Sequence, residues 1–175
     1  MGLDSVEILM CWEETFGIRI EDSEAAELRT PRQAIDLISK KLNAIDISCF
    51  CPTLRAFHVF RSGVRQATSQ FNRRIGLRDH LRDLHKDQSK REFWNAFRKA
   101  VEIPDYRPPG IIFAHATVQD AIEKLIAHHL KHLLKPSEKW TRSLVRFGVR
   151  YGVIEVVGAR EFSDDDRFVE DIGVA

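Results

Sequence analysis

Apolar residues recur every three or four positions along most of the chain, which is the spacing of amphipathic helices. The pattern predicts helices over 3–16, 31–42, 53–68, 93–101 and 117–130, with a short helix at 77–84. In the first helix Val6, Leu9, Met10 and Phe16 mark the apolar side, and Gly17 ends it. Thr30-Pro31 begins the next long helix, because a hydroxyl residue at the N-cap followed by proline is a strong start signal.

The segment 138–157 fits two secondary structures. Val145, Phe147 and Val149 alternate with small or basic residues, which is typical of a strand. Phe147 and Tyr151 are also one helical turn apart, and the pattern as a whole fits a helical stripe that begins near 136–137. The local pattern favours the strand slightly, but the organisation of the rest of the chain predicts a helix.

Composition places the chain among globular proteins. Of its 175 residues 43% are hydrophobic and 30% are charged, so a packed core is feasible. No window approaches the roughly 18 apolar residues of a membrane span, and the first residues lack the features of a signal peptide. The three cysteines, Cys11, Cys49 and Cys51, cannot form a fully paired framework. We therefore expect a soluble cytoplasmic protein with no membrane partner.

Charge is unevenly distributed although the net charge is only +1. Residues 1–45 hold nine acids and five bases, and residues 137–175 hold eight acids and six bases. The middle, 46–136, holds nine acids and sixteen bases. This asymmetry predicts acidic and basic surfaces with different partners, or surfaces that bind each other.

Signals for catalysis and for metals are weak. The sequence contains neither a triad-like arrangement nor a glycine-rich phosphate loop, so we predict no enzyme and no catalytic residue. His128, His129 and His132 form a cluster with no recognisable third ligand of fixed geometry. We interpret this cluster as a solvated helix face and predict no metal site.

One stretch at the start of the chain resembles a known family. Leu3-Asp4-Ser5-Val6-Glu7-Ile8-Leu9-Met10, then Glu13-Glu14-Thr15-Phe16-Gly17-Ile18, then Thr30-Pro31-Arg32-Gln33-Ala34-Ile35 resemble the acyl carrier proteins. The match runs without a gap and covers the second, third and fourth helices of that fold. It implies an all-α, acyl-carrier-like helical bundle.

The missing first helix has its counterpart at the other end of the chain. Residues 140–158 resemble the family's first helix, and 164–173 resemble the loop before the carrier serine. This order implies a circularly permuted carrier module formed by 1–45 plus 137–175, or half-modules that complete each other between two chains. The segment 46–136 would be a central basic helical module, or a second, degenerate carrier copy that repeats the helix start at Thr117.

The resemblance also defines the position of the prosthetic arm. Family members attach phosphopantetheine to a serine at the start of the second helix, and the gapless alignment places Gly2 at that serine. Glycine has no hydroxyl, so we expect no cofactor there. In a second register Gly2-Leu3-Asp4-Ser5-Val6 spells the motif, and Ser5 would hold phosphopantetheine in an atypical carrier of lipid or polyketide biosynthesis.

Partners are predicted from the acidic helix at 3–16, which resembles the second helix of the family. In acyl carrier proteins that helix is the docking surface for basic patches on partner enzymes. The candidate docking residues share negative charge and cluster near this helix: Asp4, Glu7, Glu13, Glu14, Glu21 and Asp22. The first hypothesis is a non-enzymatic interaction protein that binds such partners or self-associates, for example as a domain-swapped dimer.

A third hypothesis is a basic helical nucleic-acid-binding protein. Basic residues alternate with acids through the stretch 73–91, which Phe71, Phe93 and Trp94 flank. Basic charge between aromatic rings is typical of single-strand binding. The helical spacing of Phe93 and Trp94 indicates core positions instead, and we rank this hypothesis last.

Overall fold

The computed structural model describes residues 2–46, 51–109 and 115–175, which form helices, turns and loops without a β-strand. The prediction of an all-α fold is confirmed. The α-helices are, in chain order, α1 (Leu3–Phe16), α2 (Asp22–Ala25), α3 (Pro31–Lys41), α4 (Pro52–Thr68), α5 (Leu81–Leu84), α6 (Lys90–Val101), α7 (Val118–His129) and α8 (Arg142–Val157). A 3₁₀ turn (Leu130–Leu133) follows α7, and a π-helical turn (Phe168–Ile172) lies near the end. Within the described ranges, no helix has the length and apolarity required to cross a bilayer.

The predicted start of α3 at Thr30-Pro31 and the predicted end of α1 at Gly17 are both confirmed. Thr30 accepts a hydrogen bond from the amide of Gln33, and the Gln33 side chain accepts one from the amide of Thr30, which completes a capping box. Gly17 ends α1 in the left-handed conformation with φ of 65°, where its amide donates to the carbonyl of Glu13.

Two predicted helix starts were too early. The last helix begins at Arg142, where the Thr141 hydroxyl caps the amide of Leu144. Ile45 explains the delay, because its amide donates to the carbonyl of Trp140 and its carbonyl accepts from the amide of Arg142. These bonds hold the residues before α8 in an extended conformation.

The short helix predicted at 77–84 is present only as α5, which begins at Leu81. The carbonyl of Leu77 accepts from the amide of Gln119, and the carbonyl of Asp79 accepts from the amide of Val118. Both carbonyls are therefore bonded to α7 and not to a helical turn of their own.

The chain divides into two compact units. Unit 1 comprises Met1–Phe50 and Ile126–Ala175, and unit 2 comprises Cys51–Leu125. Residues that follow Ile126 belong with the first segment because the carbonyl of Ala127 accepts hydrogen bonds from the Thr15 hydroxyl and, at 3.4 Å, from Cys11 Sγ. The domain boundaries expected from the sequence stay a prediction, as does a second carrier-like copy.

In unit 1, α8 packs against both α1 and α3. Glycines permit the close approach to α1: a Cβ on Gly148 would lie 2.6 Å from the Phe16 ring, and one on Gly152 would lie 2.6 Å from the Trp12 indole nitrogen. That nitrogen donates to the carbonyl of Val149 at 3.2 Å. The two large aromatic rings of α1 thus occupy the space that the glycines leave on α8.

An ionic network holds the loop after α8. Asp164 contacts Arg146 and, at 2.9 Å, Arg150, while Asp165 pairs with Arg32 of α3. Burial alone would raise the pKa of Asp164, but the hydrogen bonds from the two arginines outweigh it and leave this pKa below its ordinary value. The loop that resembles the family's approach to the carrier serine is therefore fixed to two helices.

In unit 2, α4 packs against α6 around an aromatic cluster. The rings of Phe60 and Phe97 lie 5.1 Å apart, and Phe93 and Trp94 are also buried. Tyr106 is fully buried, and its hydroxyl donates to the carbonyl of Ala121 in α7. The aromatic residues of this segment therefore form a core.

Candidate functional site

The first turn of α1 lies against residue 175. Gly2 is the N-cap, and a Cβ built on it would overlap the main chain of Ala175. Ala175 donates its amide to the Asp4 carboxylate at 3.1 Å and accepts from the amide of Ser5 at 3.4 Å. The position that aligns with the carrier serine thus lacks a hydroxyl and also lacks room for a side chain.

Ser5 lies one turn further into the helix. Its side chain is partly buried, and its hydroxyl donates to the carbonyl of Ala175 at 3.5 Å. Attachment of a phosphodiester there would replace the hydroxyl proton and would therefore remove that hydrogen bond.

A cleft of about 440 Å³ opens beside this turn. Its wall is formed by α1, by the end of α2 and by the turn that starts at Phe168. Ile8, Trp12 and Phe168 supply apolar surface, while Ser5 and Arg29 contribute polar groups. The cleft therefore has a mixed apolar and polar lining beside the start of α1.

Four of the six predicted docking acids have contacts within unit 1. Asp4 accepts from the amide of Ala175, and Glu13 accepts from the amide of Ile20 at 2.7 Å. Glu21 caps α2 and lies 3.3 Å from Arg19, and Glu14 lies 3.3 Å from His128. These contacts fix loops and helix ends, so a docking role for the full set stays a prediction.

The outward face of α1 was missed by sequence reasoning. Leu3, Val6 and Met10 expose 73%, 44% and 61% of their surface, although Val6 and Met10 had been assigned to the apolar side. Spacings of three and four residues place all three on one stripe. Glu7 and Glu14 follow Leu3 and Met10 by one turn, so both are exposed on the same face. The exposed α1 face, as we call these five residues, combines apolar area with negative charge.

The histidine cluster differs from the predicted solvated face. His129 is buried, and the His128 side chain is only 22% exposed, while His132 belongs to the 3₁₀ turn that follows α7. His128 lies 3.3 Å from Glu14 of α1 and 3.7 Å from Glu155 of α8. The prediction of a solvated face is wrong for His128 and His129, because α7 packs its last turn inward against these two helices, whereas His132 is exposed.

The basic stretch with its flanking aromatic residues and the cysteines are the remaining candidates from the sequence. Phe93 and Trp94 are in the core as expected, so Phe71 is the exposed aromatic residue of the basic stretch. Cys11 is buried and Cys51 is exposed, and Cys49 lies outside the described residues. Neither feature forms a site in the described part of the chain.

Comparisons with curated proteins find acyl carrier proteins. The chain is 48% identical over 43 residues to the acyl carrier protein of Thermosynechococcus vestitus, which covers 25% of this chain and 53% of that protein. It is 41% identical over 45 residues to that of Petrotoga mobilis, covering 26% and 53%, and 49% identical over 40 residues to that of Buchnera aphidicola, covering 23% and 50%.

Other comparisons add nothing to this likeness. No protein-family model matches the chain. No solved structure matches it either. The chain spans about half the length of the curated relatives it matches. Over about a quarter of its own length, this chain is similar in sequence to the acyl carrier proteins.

Proposed function

We propose that this protein is an acyl-carrier-like binding module that acts without catalysis and without phosphopantetheine at the usual position. The observation that supports this most is the closed start of α1, where Gly2 lacks a hydroxyl and packs against Ala175. The module keeps the helix that begins at the carrier serine in the family, but it offers no attachment point for the arm in the matching register.

The same proposal includes a circularly permuted carrier module. Support comes from the contacts of residue 175 with Gly2, Asp4 and Ser5, which place the segment resembling the approach loop at the start of α1. A domain-swapped dimer would use the same contacts between two copies, and it is the second arrangement that we propose to test.

The partner is a protein that presents apolar side chains beside lysine or arginine. The exposed α1 face supports this choice, because Leu3, Val6 and Met10 offer anchors while Glu7 and Glu14 attract basic groups. Apolar anchors supply most of the affinity in such contacts, and charges set specificity and the rate of encounter.

Docking is tested with an amphipathic helical peptide of leucine and lysine, using fluorescence anisotropy at low salt. Met10→Ser is expected to weaken binding about fivefold or more, because it removes a central apolar anchor. Leu54→Ser is the matched control, since Leu54 is also exposed, at 56%, but lies in α4 of unit 2. Equal affinities for the two variants would contradict docking on the α1 face.

The second candidate function is an atypical carrier modified on Ser5, which is supported by the position of its hydroxyl beside the cleft. Intact mass is measured after incubation with coenzyme A, magnesium and a broad-specificity phosphopantetheinyl transferase. We expect no gain in mass while a standard acyl carrier protein in the same tube is modified. A gain that is lost in Ser5→Ala but kept in Ser23→Ala would establish the second candidate instead.

A further inference from the structure

Three helices of unit 1 bring a histidine and two carboxylates together. His128 Nδ1 lies 3.3 Å from Glu14 Oε2 of α1, and His128 Nε2 lies 3.7 Å from Glu155 Oε1 of α8. Nε2 is buried and has no hydrogen-bond partner within normal bonding distance. On its own helix His129 is the adjacent titratable residue, with 6.2 Å between ring centroids, and Lys124 lies one helical turn earlier. The imidazole is therefore held between two acids that face it from opposite sides.

Glu14 belongs both to this cluster and to the exposed α1 face. Its side chain is 49% exposed, and it follows Met10 by one helical turn. A basic side chain of a partner seated over Met10 would therefore meet the same carboxylate that His128 contacts from the protein side. One carboxylate cannot be neutralised fully by both groups at the same time.

We infer that His128 gates the acidic end of the exposed α1 face: charged His128 neutralises Glu14, and loss of its proton releases the Glu14 carboxylate to a lysine or arginine of the bound protein. This inference rests on the proposed docking function. It adds that the partner's affinity rises with pH through the titration of one partly buried histidine.

The electrostatics of the cluster raise the pKa of His128. The contact with Glu155 raises the pKa of His128, burial opposes this, and Glu14 raises it further, so that the pKa lies above the ordinary 6.5. A raised pKa means that the protonated histidine stabilises the fold fully below pH 6.5. That contribution is lost as the pH rises through the folded-state pKa. Folding stability and docking therefore respond to pH in opposite directions.

Two measurements on the full chain test the gate. The first follows the ring protons of His128 by NMR and expects a titration midpoint above 6.5 that falls in Glu14→Gln. The second measures the affinity of the leucine–lysine peptide from about pH 5.5 to about pH 8.5, where its lysines remain charged. We expect affinity to rise about two- to fivefold with pH, which is the scale of one exposed ion pair.

Variants separate His128 from general charge effects. His128→Gln is expected to remove this rise, whereas the control His58→Gln, at an exposed position in unit 2, should keep it. The same pH dependence in His128→Gln and in the wild type would overturn the gate while leaving docking intact. A midpoint at or below 6.5, or one unmoved in Glu14→Gln, would overturn it without reference to any peptide. Failure of the peptide to bind at every pH would overturn docking itself, and the gate with it.

Discussion

Replacing Trp12 with alanine is expected to lower the free energy of unfolding by about 3–5 kcal/mol, which is the range for a buried aromatic residue that leaves a cavity. Trp12 is 1% exposed, and its ring lies 6.0 Å from that of Phe168. Its indole nitrogen donates to the carbonyl of Val149 in α8. Trp12 thus contacts both α8 and the turn that starts at Phe168. Its loss therefore weakens the packing of α1 against the C-terminal segment of unit 1.

Urea unfolding followed by circular dichroism measures this loss without relying on tryptophan fluorescence. Trp12→Phe is the matched control, because it keeps a ring in the core but removes the indole donor. We expect it to cost about 1–2 kcal/mol. An alanine variant that loses less than about 1 kcal/mol would mean that Trp12 does not connect the two segments of unit 1.

The ambiguity of the last helix has a physical origin in its glycines. The buried positions of α8 include Leu144, Val145, Gly148, Val149 and Gly152, which recur with the period of a helix. Counting only large apolar residues hides this period, because two of the inward positions are glycines that leave room for Phe16 and Trp12. If glycine is counted as a helix-breaking residue, the pattern favours a strand. If glycine is counted as an inward position where two helices pack closely, the pattern predicts a helix.

Which side of α1 is buried could not be predicted from that helix alone. Trp12 and Thr15 face inward because α8 and the end of α7 offer them acceptors, the carbonyls of Val149 and Ala127. Val6 and Met10 then lie outside, although their chemistry suits a core equally well. The acceptors come from residues more than a hundred positions away, so the local sequence carries no signal for them.

The candidate site was predictable where it depends on a single residue type. Gly2 excludes a phosphodiester by its chemistry, and this follows from the alignment of its neighbours with the family. The packing of Ala175 against Gly2, and the contact of His128 with Glu14, both depend on how separate segments meet. These features required the tertiary structure.

A rearranged chain should become a substrate for phosphopantetheine transfer if unit 1 is a permuted carrier. In this variant residues 47–175 come first, a peptide bond joins residue 175 to residue 2, and the chain ends at residue 46. The substitutions Ala175→Asp and Gly2→Ser then create the family's Asp-Ser-Leu motif, with Leu3 as its third residue. The new peptide bond moves the carbonyl carbon of residue 175 onto the nitrogen of residue 2, which removes the overlap that a Cβ at position 2 meets in the unaltered chain. The contacts of Ala175 with Gly2 and Ser5 place the two residues close enough for a direct connection.

We expect this variant to gain one phosphopantetheine in intact mass, where the unaltered chain gains none. The physical reason is that the new hydroxyl would stand at the N-terminus of α1, where the helix dipole and unpaired amides favour a phosphate group. The same rearranged chain with Ala175→Asp alone is the matched control, because it shares the connection and the approach loop but lacks the nucleophile. Circular dichroism establishes that both rearranged chains keep the helical content of the original.

Two outcomes would contradict these proposals. If the rearranged chain folds but gains no phosphopantetheine, while a standard carrier in the same tube does, the register that places Gly2 at the carrier serine is wrong. A rearranged chain that does not fold would contradict the permutation itself, because joining the two segments of unit 1 should preserve the packing of α8 against α1 and α3.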